Sequence, residues 1–287
     1  MRGLLADRND RIREVVYRWF EHHPEPALHA ALLAALATEQ AEFVRPALVR
    51  ALAAHADDIT VQRALLQEAG RGLDFFRIAV VQALGEHQAT YAVSTIAAMT
   101  SLDGPIQDDA ILALGRIGDR TALSGLSAVS TPAPDVAAAR EAALCLLGDR
   151  CDERIAWLAQ AARSELRANI ARAVIALLGA VAAEGHQAAL TALFDLERTT
   201  DRLRGEIALA FSTMALRRPQ QTLAWFTQAS ADMQSRAAAL LHEGFESLEE
   251  DFAEEQFFAA ARAAYWAAPE ASAVRTVTAS LIDQLEF

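Results

Sequence analysis

The sequence predicts an all-α chain built as an α-solenoid of about eight helical hairpins, one domain over residues 1–287. Three observations carry this expectation. A motif centred on arginine recurs about every 32 residues. Each copy has the apolar spacing of a helix rather than a strand. Sustained period-two alternation and β-branched clusters, the marks of strands, are scarce. Self-similarity at a fixed period of this length is the signature of stacked supersecondary units.

The motif begins with an acid or asparagine, reaches its anchor three to five residues later, and closes on a small residue eight positions past the anchor. The anchors are Arg13, Arg45, Arg77, Gln107, Arg140, Arg172, Arg204, Arg236 and Arg275. Their spacings are 32, 32, 30, 33, 32, 32, 32 and 39. At the sixth copy Leu178-Gly179 leaves open an anchor at Ala171 instead. Apolar residues at −1, +3, +6 and +7, such as Phe76, Val80, Ala83 and Leu84, fall on one helical stripe. Between the anchor helices lie second apolar segments, at 27–37, 59–69, 90–99, 153–162, 186–196 and 219–229. Pro219 suits the first turn of its helix, where a missing N–H costs nothing. The last spacing carries about seven extra residues, read as an acidic insertion at about 243–255 before the final hairpin.

The stretch Ala113-Leu114-Gly115-Arg116-Ile117-Gly118-Asp119-Arg120-Thr121-Ala122-Leu123-Ser124-Gly125-Leu126 resembles a HEAT repeat of the phycobilisome-lyase-like type, and 143–149 resembles a weaker copy. That resemblance implies a superhelix whose anchor helices line the concave side. It also implies, as one alternative, a tetrapyrrole-protein lyase-like enzyme subunit.

The acids before the anchors are Asp10, Glu42, Asp74, Asp103, Asp135, Asn169, Asp201, Asp232 and Glu270. At a helix start they are expected to cap free N–H groups. An arginine in the first turn sits at the positive end of the helix dipole and needs compensation. The expected partner is an acid of a neighbouring copy, since guanidinium and carboxylate fit in bidentate geometry. Arg13, Arg45, Arg77, Arg140, Arg172, Arg204, Arg236 and Arg275 are therefore read as a structural ladder.

Composition narrows function. All 26 basic residues are arginine, against 38 acids, for a net charge of −12. Without lysine there is no Schiff base and no Walker lysine. The acidic balance argues against nucleic acid as partner. No apolar run suggests a membrane span or signal peptide. Cys145 and Cys151 make no disulfide framework, so a cytoplasmic protein with reduced thiols is expected. His23, His55 and His87 share position +10, but helices packed about 8–10 Å apart do not let such a row share one ion. His242-Glu243 is the single His-Glu pair, too few for a HEAT-type diiron cage. No catalytic, cofactor or metal constellation is read, and the chain is not expected to be an enzyme.

Two surfaces are candidates for partners. Glu243, Glu246, Glu249, Glu250, Asp251, Glu254 and Glu255 concentrate seven acids in the late insertion, where they could steer a basic protein. Position +5 changes from Arg18, Arg50 and Gln82 to Leu112, Cys145, Leu177, Leu209 and Leu241. Leu177, Leu209 and Leu241 could receive a partner helix, or could be core. The expected function is a protein-protein scaffold using the concave face, the acidic segment or both, with an inhibitor or immunity-type protein as another alternative. The sequence leaves the oligomeric state open.

Overall fold

The computed structural model describes residues 1–55, 57–131, 133–248 and 251–285, the side chains of 251–255 excepted. The described residues form seventeen α-helices and no strand. Their contacts group into two compact units, Met1–Asp149 and Arg150–Phe287.

The first unit holds α1 (Asp10–His22), α2 (His29–Thr38), α3 (Arg45–Ala53), α4 (Ile59–Ala69) and α5 (Asp74–Glu86). It continues with α6 (Val93–Met99), α7 (Ile106–Ile117), α8 (Leu123–Ala128) and α9 (Pro134–Leu146). Odd-numbered helices carry the anchors. Helix α1 packs on α3, α3 on α5, α5 on α7 and α7 on α9, and each even-numbered helix packs on the odd one that follows it. The anchor stripe is the core: Val80, Ala83 and Leu84 are sealed, with Phe76 close behind. Each such large side chain contributes about 1.5–3 kcal/mol by leaving water.

The second unit holds α10 (Cys151–Ser164), α11 (Ala168–Ala183), α12 (Gln187–Thr199) and α13 (Arg204–Arg217). It ends with α14 (Pro219–Gln228), α15 (Ala231–Ser247), α16 (Asp251–Ala267) and α17 (Ala273–Leu285). Helix α11 packs on α13, α13 on α15 and α15 on α17. Phe194, Phe211, Trp225 and Phe226 interlock here, with Phe194 and Trp225 stacked at 5.1 Å.

The small residue at +8 is where successive anchor helices touch. A Cβ placed on Gly115 would meet the Cα of Ala143 at 2.6 Å, and one on Gly244 would meet the carbonyl oxygen of Ala208 at 2.5 Å. Only glycine permits backbones to approach so closely. At the sixth copy it is Gly179 that meets Ala210, and Ala171 is sealed in the core. The glycine register there fits an anchor at Ala171, while Arg172 lies 3.7 Å from Glu206 of the next anchor helix.

In the acidic segment the described residues on either side belong to helices of 17 residues each, α15 and α16. Glu243 and Glu246 lie on α15, while Asp251, Glu254 and Glu255 lie on α16 with side chains outside the description. Glu249 and Glu250 fall outside the described residues.

Candidate interaction surface

The anchors find compensation in a place the sequence did not reveal. The Arg77 Nε donates to the Ala69 carbonyl at 3.0 Å, at the last residue of α4. The Gln107 amide donates to the Thr100 carbonyl at the end of α6, 2.8 Å away. Arg140 Nη1 donates to the Val129 carbonyl at the end of α8, also at 2.8 Å. A long donor in the first two turns of one helix thus satisfies orphan carbonyls at the negative end of the preceding one. Carboxylates join where they are available. Arg13 donates through Nε and Nη2 to Glu39 at 2.7 and 2.8 Å, and Arg45 donates to Glu68 at 2.9 Å.

In the second unit one side chain takes the larger part, joined by the Phe194 carbonyl, which accepts from Arg236 at 3.1 Å. Nearly buried Glu197 accepts from Arg204 at 2.6 Å and from Arg236 at 3.1 Å. Arg204 also donates to Glu243 at 2.9 Å. Arg172 is mostly exposed and lies 3.7 Å from Glu206. Arg275 sits over the Tyr265 ring at 4.6 Å. The expected acid caps are also displaced. Asp10, Asp74 and Asp135 stand inside the first turn, where the dipole favours a negative charge. The side chains that cap are Asn9, Asp58, Asp119 and Ser230.

Of the leucines at +5, Leu241 is fully buried, which removes it as a contact residue. Leu177 and Leu209 are half-buried. Glu246 is exposed on α15, whereas Glu243 is engaged by Arg204. Of the histidines, His23 stacks on Trp19 at 3.9 Å. His55 is buried, and its Nε2 has no hydrogen-bond partner. Burial, then the charge of His29, holds the His55 pKa below its ordinary value. On α7, burial and the charges of Asp109 and Asp135 push Asp108 up to about 6. Cys145 is sealed in the core of the first unit. In the second, Cys151 Sγ lies 3.4 Å from His186 Nδ1. Neither cysteine is free.

One surface went unread in the sequence. Ile12, Phe43, Leu73 and Phe75 are 37%, 39%, 67% and 65% exposed. They stand one to four residues before the anchors of α1, α3 and α5, three helices packed in succession. The Arg11 guanidinium lies over the Phe43 ring at 4.6 Å, linking α1 to α3. Arg45 lies over Phe76 at 4.1 Å, linking α3 to α5. The row is an apolar edge at the N-terminal ends of the anchor helices. Its signal was position −2, which reads Arg11, Phe43 and Phe75 and falls outside the core stripe.

No helix among the described residues is long and apolar enough to cross a membrane. Neither a protein-family model nor a curated protein matches this chain.

Proposed function

We propose that the chain is a HEAT-like protein whose units are stacked helical hairpins, and that it works as a protein-binding scaffold. The observation that carries this reading is the exposed row Ile12, Phe43, Leu73 and Phe75, repeated helix by helix with arginines beside it. Exposed apolar and aromatic side chains beside arginines are the composition enriched at interfaces. The edge of the first unit, rather than the half-buried leucines at +5, is the contact surface. The repeat framework rests on the alternation of anchor and intervening helices and on the glycine contacts between them.

The test uses the full chain and a Leu73→Ser/Phe75→Ser variant. Partners captured from the native cell are purified and titrated against both forms by calorimetry. The variant should keep its thermal midpoint, because both side chains are exposed. It should lose about tenfold or more in affinity, the effect of removing a hot-spot residue. Equal affinity for a purified, stoichiometric partner overturns the assignment of this edge.

A further inference from the structure

Position +5 on the first three anchor helices is polar, and two of its three residues have acceptors. Arg18 on α1 donates to Glu14 at 2.9 Å. Gln82 on α5 donates to Asp109 at 2.8 Å. Arg50 lies between them, in the last turn of α3, against which α1 and α5 both pack. It is half-buried, and among the described residues its guanidinium has no hydrogen bond, ion pair or ring contact. A charge taken partly out of water without a counter-ion is costly.

Two histidines join it. His22 closes α1 four residues past Arg18, so it lies on the same helical face one turn further on. His87 follows the last residue of α5. Burial, then the charges of His23, His87 and Arg50, hold the His22 pKa below its ordinary value, against the opposing charge of Glu86. Burial, also opposed by Glu86, holds His87 below its own. The charges of Arg50 and His87 thus reach His22, and the three groups form one cluster at the C-terminal ends of three successive anchor helices. The acids at this end are already engaged. Glu86 faces Arg116 of α7 at 3.7 Å, Glu14 holds Arg11 as well as Arg18, and Glu21 also has a contact. Arg50 is a permanent cation without an anion, beside two imidazoles that would take up a proton if an anion arrived.

We infer that Arg50, His22 and His87 form a binding site for a phosphoryl group, carried by free phosphate or by a phosphorylated side chain. Donors from three helices suit a tetrahedral group with three or more free oxygens. A planar carboxylate is filled by one guanidinium fork and leaves the histidines unused. The second charge of a phosphoryl group, gained at a pKa of about 6 for an ester, matches the range in which histidine takes a proton. The carbonyl ends of the helices oppose an anion, so free phosphate should bind only in the millimolar range. The site lies at the opposite helix ends from the apolar row and is independent of the scaffold reading.

The probe is inorganic phosphate, titrated into the full chain at constant ionic strength and about pH 6.5, with the histidine ring signals followed by NMR. Binding should saturate, and the midpoints of His22 and His87 should rise together by about half a unit or more. Arg50→Gln should keep its thermal midpoint and bind at least about fivefold more weakly, the effect of losing a charge-assisted contact. His22→Gln/His87→Gln, which leaves Arg50 in place, should also weaken binding, by about threefold. His242→Gln, in the second unit, and Leu73→Ser/Phe75→Ser should bind as the parent does. Acetyl-Gly-phosphoserine-Gly-amide and its serine counterpart separate the two sources. Binding of the phosphopeptide at least as tight as that of phosphate assigns the site to phosphorylated side chains, and its exclusion assigns it to free phosphate. The inference is overturned by unsaturable shifts, by acetate raising the two midpoints as much as phosphate does, or by affinity that survives both Arg50→Gln and the double histidine change.

Discussion

The two units meet one electrostatic problem with the same two kinds of acceptor, carbonyl and carboxylate, in different proportion. Each places arginines in the first two turns of its anchor helices, toward the wrong end of the dipole for a cation. In the first unit Arg77, Gln107 and Arg140 reach back to carbonyls at the ends of α4, α6 and α8. In the second, Arg204 and Arg236 converge on the side chain of Glu197. The carbonyl solution needs only a donor of sufficient length, and the chain itself places glutamine at 107. The carboxylate solution needs a charged fork. What both units share is backbone contact between anchor helices at +8, so the glycines should matter more than the arginines.

The largest effect is therefore expected at the glycines. Gly115→Ala forces a Cβ against the backbone of Ala143, and Gly244→Ala forces one against Ser212 and the carbonyl of Ala208. Each should cost about 2–3 kcal/mol in urea denaturation, the scale of overpacking a tight core. Gly70→Ala, whose Cβ would have 3.7 Å of clearance, is the control and should lie within about 0.5 kcal/mol of the parent. Ser212→Gly in the Gly244→Ala background should recover only part of the loss, since the Ala208 carbonyl remains. Equal losses at Gly70 and Gly115 would break the close-contact account.

Removing the charged fork comes next. Glu197→Ala removes the acceptor shared by Arg204 and Arg236 and should cost about 2 kcal/mol, below the full penalty for a buried pair because Arg204 keeps Glu243, Arg236 keeps the Phe194 carbonyl and both reach water. Arg140→Gln keeps a donor for the Val129 carbonyl and should cost less than about 1 kcal/mol, the worth of one hydrogen bond. Arg236→Gln should cost more than Arg140→Gln. The reverse order would erase the distinction between the units.

Much of this was legible before any coordinates. The anchor register, the intervening helices at 59–69 and 219–229 and the small residue at +8 all follow from helical periodicity, which depends on local spacing alone. What was missed depends on which chain segments meet in space. An acid before Arg77 signals a cap, but the residue that compensates Arg77 is a carbonyl of Ala69, and a carbonyl has no sequence signature. Helix length misled too. The acids read as a late insertion lie, where described, on α15 and α16; a charge run has the same composition whether it coils or extends a helix. The edge row escaped because exposure at −2 depends on where α3 and α5 begin relative to one another. Of the candidate site residues, Glu246 stands exposed as hoped, and Leu241 is core.

The smallest effects concern pH, and they oppose each other inside the first unit. Burial holds His55 below its ordinary value of 6.5, so the folded state prefers the neutral ring. Below pH 6.5 the unfolded chain binds the proton more readily, and the stability that depends on the neutral ring drains away as pH falls through the folded pKa. Asp108 acts in the opposite direction. Its folded pKa is raised from 3.8 to about 6, so the fold carries a penalty above pH 6 that fades as the carboxyl takes up a proton. Glu39, held below 4.5 by Arg13, adds a third window in which stability is lost only in stronger acid. Between pH 6.5 and 4.5 the parent should therefore show a shallow pH profile in urea denaturation, the residue of two opposing slopes. His55→Gln should let stability rise as pH falls through this range. Asp108→Asn should be more stable than the parent at pH 7.5 and should lose stability as pH falls. Hydrogen exchange should place both changes in α3 to α7. Parallel profiles for the two variants would show that these groups do not govern the acid response of the first unit.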